Sequence, residues 1–293
     1  MSLLRVGTRG SALAQVQTAS VVQALREHHP ELQVETVVIR TSGDRQQREV
    51  VGAFVKELQE ALFEGRVDVA VHSLKDLPTQ RVEGLILAAV PPRADARDVF
   101  LSRGGNFWEL APGARVGTGS LRRSAQLRAR RSELQYLPLV GNVDTRVRKL
   151  HEGQYDAIVL AAAGLQRLGF LESPEDRHIP LPDGSTLHIH LFEVDTLLPA
   201  PGQGALAVEC RADDEQVVRL LASIDHLPSR QAVTAERALL QGLGGGCRVP
   251  IAGYAQVEGS QLTLRGLVAH PEGEQIVHDQ ITGDAEQAEA LGI

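Results

Sequence analysis

Three short stretches put reactive side chains beside turns, and each points to its own chemistry. His72-Ser-Leu-Lys-Asp-Leu-Pro78 follows an apolar run, Val67–His72, that reads as a strand covered on both faces. Loops beyond the carboxyl ends of such strands are where α/β sheets collect their ligands. In that position Asp76 could protonate a leaving group or hold a developing cation, and Lys75 could pair a substrate carboxylate. A solvated ion pair ahead of a proline-marked turn accounts for the same residues equally well. The second stretch is Gly117-Thr-Gly-Ser-Leu-Arg-Arg123, a strand running through a Gly/Ser/Thr loop into a helix start. Such a start presents free N–H groups to an anion. Arg122 and Arg123 in the first helical turn oppose the helix dipole, and a bound anion would offset the misfit. The loop has neither a GK[ST] ending nor GxGxxG spacing, so it suits carboxylates better than nucleotides. Planar arginine forks bind carboxylates through two bonds.

In the third stretch, Leu243-Gly-Gly-Gly-Cys-Arg-Val-Pro250, three glycines precede Cys247 and a strand follows. Its sulfur sits in an exposed or tightly turned loop, and Arg248 could favour the thiolate, as a nucleophile or attachment point requires. Cys210, in a strand-like run, reads instead as a small buried hydrophobe. Thr8-Arg9-Gly-Ser11 is one more arginine at a helix start and could add to the anion site. Between Arg115 and Lys149 there are nine arginines and lysines against two carboxylates. Within that stretch Arg128, Arg130 and Arg131 read as a solvated basic face. His188 and His190 share one face of a strand, but without a third ligand nearby a metal is not expected.

These stretches need elements to hold them. Leu3–Gly7 predicts a short strand, and a helix follows from about Ser11, whose hydroxyl can cap it. Leu32–Ile39 predicts a strand, and Phe54–Glu64 a helix stopped by Gly65. A second set is Ala114–Gly117 (strand), Ser120–Arg131 (helix), Tyr136–Val140 (strand), Asp144–His151 (helix) and Tyr155–Ala161 (strand). Leu181–Leu191 predicts a hairpin around Pro-Asp-Gly-Ser. After Cys210, helices at Glu215–Ile224 and Arg230–Leu240 precede strands at Ile251–Val257, Gln261–Ala269 and Glu274–Ile281. Alternation of this kind predicts α/β layers, with a smaller α+β domain at the end. No internal repeat stands out.

Composition narrows the function. A chain of 293 residues suggests two or three domains. Its net charge of −7 argues against a general binder of nucleic acid or anionic membranes. Aromatics at 3% leave little for stacking single-stranded bases. No apolar run approaches the roughly 18 residues of a membrane helix. The opening MSLLRVGTRGS lacks a secretory pattern, and two cysteines make no disulfide framework, so a reducing cytoplasm is expected.

Taken with Arg9-Gly-Ser-Ala-Leu-Ala14, Gly141-Asn-Val-Asp-Thr-Arg146, Ala163-Gly-Leu-Gln-Arg167 and Pro201-Gly-Gln-Gly-Ala205, the three stretches resemble the porphobilinogen deaminases, in order through nearly the whole chain. The resemblance implies an α/β fold with two periplasmic-binding-protein-like domains and a small C-terminal α+β domain. They would span 1–92 with 197–212, then 93–196, then 213–293. It implies a transferase that condenses four porphobilinogen molecules head to tail, losing ammonia each time, and then releases hydroxymethylbilane. A dipyrromethane cofactor would be joined by a thioether to Cys247, and Asp76 would be the catalytic acid. Cofactor and substrate carboxylates would fall to Arg9, Ser11, Ser73, Lys75, Thr118, Ser120, Arg122, Arg123, Arg146 and Arg167. Porphobilinogen would be the partner, with no nucleic acid, no membrane and a monomeric chain. The family's arginine before Gly141 is replaced by Val140, so either a cation such as Arg148 substitutes or elongation suffers. The loop at Arg45–Ala53 is short, and the segment Ile179–Val194 is long.

Two other classes share parts of the pattern. A solute-binding protein would use the cleft and the arginines, but normally with an export signal and no need for Cys247. An RNA-binding protein would use the basic stretch, against the acidic total.

Overall fold

The computed structural model describes residues 3–39, 53–173, 175–181, 183–245 and 249–293. Cys247, Arg248 and most of the 45–53 loop lie outside the described residues. The first sheet is built on β1 (Leu4–Arg9), β2 (Val34–Ile39) and β3 (Val69–Ser73), which pair in parallel in the order β2-β1-β3. Parallel neighbours need crossovers, and α1 (Ala12–His28) and α2 (Ala53–Phe63) supply them. As expected, Ser11 caps α1, its Oγ accepting from Ala14 N at 3.3 Å. Val21, Val22 and Leu25 of α1 pack against Leu4, Val6, Val69 and Val71. Leu58, Ala61 and Leu62 of α2 pack with Ile39, Val67 and Ala70. The sheet is finished by β4 (Leu85–Ala89), which periodicity did not single out, and by β11 (Leu206–Arg211), antiparallel to both β3 and β4.

The second sheet has the order β7-β6-β8-β5-β10-β9. Its strands are β5 (Asp98–Ser102), β6 (Arg115–Gly117), β7 (Gln135–Leu137), β8 (Ala157–Ala161), β9 (His178–Pro180) and β10 (Thr186–Leu191), with helices α3 (Leu121–Arg128), α4 (Val143–His151) and α5 (Ala162–Arg167). β7 ends at Leu137, short of Val140, because Pro138 cannot donate to the ladder. α3 ends at Arg128, short of Arg131. The expected hairpin is β9–β10, and β10 joins the sheet by pairing with β5.

The two sheets repeat one design, which corrects the expectation of no internal repeat. Each has three parallel strands in 2-1-3 order with an antiparallel strand beside the third. Arg-Val-Gly-Thr occurs at 5–8 and again at 115–118, and Glu-Gly-x-x-Asp at 64–68 and 152–156. Arg5 and Arg115 fork onto Asp68 and Asp156 at 2.7 and 3.0 Å, and the two backbone N–H groups donate to the same carboxylates at 2.9 and 2.8 Å. Both guanidiniums also donate to the carbonyl of a left-handed glycine, Gly65 or Gly153. Each clamp ties the start of a first strand to the start of a third. This fixes the register of the two strands, with Gly7 opposite Ala70 and Gly117 opposite Ile158.

The chain crosses between the sheets twice, and the crossings lie side by side, with Ala94 N donating to Gly204 O at 3.3 Å. Gly204 is left-handed, and a Cβ there would collide with the Ala94 carbonyl oxygen. A third, antiparallel sheet orders β12 (Ile251–Glu258), β13 (Gln261–Ala269) and β14 (Ile276–Asp284) in sequence, backed by α7 (Leu227–Gly242). Glu236 of α7 has no exposed surface and accepts from Arg93 at 2.6 Å, Gly202 N at 2.7 Å and Ala255 N at 2.8 Å. That buried carboxylate fastens the third sheet to the crossings. The helix α6 (Glu215–Ala222), which lies beyond residue 213, packs Val217 and Leu221 into the core of the first sheet. The architecture is two α/β sheet units of like strand order with a small C-terminal antiparallel sheet unit.

Candidate active site

A cleft opens where the carboxyl ends of β3 and β8 face each other. Ser73, Lys75, Arg123, Arg146 and Arg167 line it together with Gln17, around a cavity of about 90 Å³. Ser73 ends β3, and its Oγ is 2.9 Å from Gln17 Nε2. Lys75 lies in the 3-10 turn Leu74–Asp76 that follows. Arg167 closes α5 and donates to Gly204 O at 2.8 Å. Burial pushes its guanidinium down to about 10, so it remains a cation at neutral pH. Arg146 of α4 donates from Nε to Gly141 O at 2.6 Å.

The misfit of Arg122 and Arg123 at a helix start has an internal answer. Asp98, at the start of β5, has no exposed surface and stands 2.7 Å from both guanidiniums. Arg122 also donates to Leu198 O at 2.6 Å, and Arg123 to Val159 O at 3.2 Å. The offsetting anion is therefore a side chain of the protein, and only Arg123 of the pair lines the cavity. Burial alone would raise the Asp98 carboxyl, but Arg122 and Arg123 override it and hold it down at about 2. Its contribution to stability is complete above the unfolded value near 3.9 and is lost as pH falls toward 2. Asp98→Asn leaves two buried guanidiniums without their counter-charge. It is expected to cost about 3–5 kcal/mol, read as a lower urea midpoint with unchanged slope. An unshifted midpoint would refute this account of the pair.

Gln203, 1% exposed, joins the crossing to the site. Its Nε2 donates to Ala96 O at 2.7 Å and Asp98 Oδ1 at 3.0 Å, while Oε1 accepts from Lys75 Nζ at 3.4 Å and Arg123 at 3.5 Å. Burial, then the charge of Arg123, push the Lys75 ammonium down to about 8, against the pull of Asp76 and Asp98. Lys75, Arg122 and Arg123 thus gather around one buried carboxylate. Among the described residues Arg122 Nε is buried without a hydrogen-bond partner. That surplus of positive charge suits a ligand bearing carboxylates.

Other expected site residues hold the scaffold. Thr118 Oγ1 accepts from Ser120 N at 3.2 Å, and Ser120 Oγ caps α3 by accepting from Arg123 N at 3.4 Å. Ser11 caps α1 in the equivalent place, and Arg9 is half-buried at the end of β1. Asp76 is exposed on its turn, whose Leu74 and Leu77 are buried. Val140 is 42% exposed, and its carbonyl accepts from Lys149 Nζ at 3.0 Å. Arg148 instead reaches toward Glu152, while Lys149 and Arg146 bond to the carbonyls of that turn.

The supposed solvated face of Arg128, Arg130 and Arg131 is a set of clamps. Arg131 donates to Phe107 O at 2.8 Å and Leu110 O at 2.7 Å, Arg130 to Asp195 O, and Arg128 pairs with Glu272 of the third sheet. His188 packs edge-on against His178 across the β9–β10 pair, and His190 against Phe192. Sequence reasoning missed Asp98, Gln17 and the role of Gln203. Only Gln203 carried a signal, as the one long side chain between two glycines of the Pro201–Ala205 motif.

The two α/β sheet units meet at a cleft lined by the cations Lys75, Arg123, Arg146 and Arg167, the arrangement of a site for an anionic ligand. The chain belongs to the porphobilinogen deaminase family. Residues 4–219 match the family's dipyrromethane cofactor-binding domain and residues 230–293 its C-terminal domain. Among curated relatives, the porphobilinogen deaminase of Roseiflexus sp. (strain RS-1) is 49% identical over 99% of this chain and 93% of its own. That of Brevibacillus brevis is 47% identical over 100% and 92%. That of Syntrophus aciditrophicus is 45% identical over 99% and 92%.

Proposed function

We propose that this chain joins four porphobilinogen molecules head to tail, losing ammonia at each addition and releasing hydroxymethylbilane by hydrolysis. The observation that carries this reading is the cluster of Lys75, Arg123, Arg146 and Arg167 at one cleft, with Arg122 buried behind it. Every porphobilinogen brings an acetate and a propionate, so a growing chain needs fixed cations. Cys247 would hold the dipyrromethane, which would supply the pyrrole end to which substrate is added. Lys75, Arg122 and Arg123 would hold its carboxylates with Ser73, Thr118 and Ser120. Arg9, Ser11, Arg146 and Arg167 would hold those of the incoming substrate. Asp76 would give a proton to the departing amine and stabilise the cation left behind.

The residues act without a metal in this reading, in a monomer of the cytoplasm whose partner is porphobilinogen. No helix of the described residues is long and apolar enough to cross a membrane. The test is to incubate the purified protein with porphobilinogen and measure ammonia and linear tetrapyrrole together. Four ammonia per tetrapyrrole supports the reading. Binding without ammonia release would make the chain a solute-binding protein instead.

The site also carries a pH signature. Lys75 is a cation below about 8 and neutral above it. Binding of a carboxylate should weaken above that value, so kcat/KM is expected to fall on the alkaline side with an apparent pKa near 8. Lys75→Arg should move that limb upward by restoring a permanent charge. An unchanged limb in Lys75→Arg would assign it to another group.

A further inference from the structure

The helix α7 makes three contacts that bear on the acid at 76. Val233 packs with Leu74 and Leu77, the apolar residues on either side of Lys75 and Asp76. Glu236 grips the crossing through Arg93 and Gly202. Its neighbour Arg237 donates from Nη1 to Leu77 O at 3.0 Å and from Nη2 to Pro78 O at 2.7 Å. A planar fork on two successive carbonyls fixes direction as well as distance. Asp76 is exposed, so its carboxyl is aimed chiefly by its backbone, and the backbone just after it is what Arg237 holds.

We propose that Arg237 is a positioning residue that fixes the turn carrying Asp76 by forking onto the two carbonyls just after it. The proposal rests on the role of Asp76 given above. A lost fork lets the turn shift without removing any group that meets substrate. Placement errors of an ångström cost up to about 10²-fold in rate, with little effect on binding.

The test uses full-length holoenzyme as Arg237→Met, Arg237→Lys, Asp76→Asn and the double variant Arg237→Met/Asp76→Asn. Intact mass reports cofactor occupancy, and ammonia release gives kcat and KM for porphobilinogen. Arg237→Met is expected to keep cofactor and KM while kcat falls by up to about 10²-fold. Arg237→Lys, which reaches one carbonyl at most, should fall less. If Arg237 acts through Asp76, Arg237→Met causes no further loss in the Asp76→Asn background. Additive losses in the double variant would overturn the proposal, as would a rate that simply tracks lost occupancy. Should Arg237→Met not fold, Arg237→Lys enters the same comparison. A native rate in Asp76→Asn overturns the acid assignment and this proposal with it, whereas additivity on a slow Asp76→Asn overturns this proposal alone.

Discussion

Asp76→Asn should slow ammonia release from porphobilinogen by about 10²- to 10⁴-fold, the usual cost of losing a general acid, with lost cation stabilisation adding to it. The amide keeps the size of the side chain but neither the proton nor the negative charge. Because Asp76 is exposed, while Leu74 and Leu77 beside it are buried, the substitution leaves the packing of the turn intact. Stability should be unaffected, and losing the pull of Asp76 lowers the Lys75 ammonium further, so at a pH well below 8 KM should change far less than kcat. The measurements are steady-state ammonia release and a urea titration of the same preparation. A native rate would remove Asp76 from the chemistry, and a shifted urea midpoint would show that the loss came from the fold.

What the sequence made legible here is what lies in short contiguous motifs. The turn of Ser73, Lys75 and Asp76 could be placed because an apolar strand, a turn signal and opposite charges adjoin. The helix start at Ser120 was equally plain. Asp98 was not, since its partners stand 24 and 25 residues downstream and nothing local marks an acid heading an apolar strand as a counter-ion. For that reason Arg122 and Arg123 looked like a vacant anion site when half of their charge is answered from within. The clamps made by Arg130 and Arg131 were hidden for a related reason, because their acceptors are backbone carbonyls of distant loops, which have no sequence signature. The duplicated Arg-Val-Gly-Thr and Glu-Gly-x-x-Asp were present but too brief to register without the geometry that links them. β4 and β5 escaped because short apolar runs carry no periodicity of their own.

Cys247→Ser is expected to abolish the covalent cofactor and all turnover, while Cys210→Ala keeps both. The chain has two cysteines, and their surroundings separate them. Cys210 lies in β11 between β3 and β4, with no exposed surface, and burial pushes its thiol up to about 11. A thiol that stays protonated and dry at neutral pH is a poor nucleophile and a poor point of attachment. The loop before Cys247 is rooted differently. Gly244 is left-handed, and a Cβ on Gly245 would collide with Ile251 and Leu240, so the base of the loop is wedged between α7 and β12. On either side of it Leu243 and Val249 are exposed, 47% and 37%. Alanine at 210 avoids burying a hydroxyl and removes one sulfur from a packed core, so it should lower the unfolding midpoint without touching the cleft. Intact masses decide the matter. Cys247→Ser should weigh what its sequence weighs, and Cys210→Ala should exceed its sequence mass by two pyrrole units. A cofactor-sized increment surviving in Cys247→Ser would move the attachment to Cys210, and β11 would then have to part from its neighbours for the bond to form.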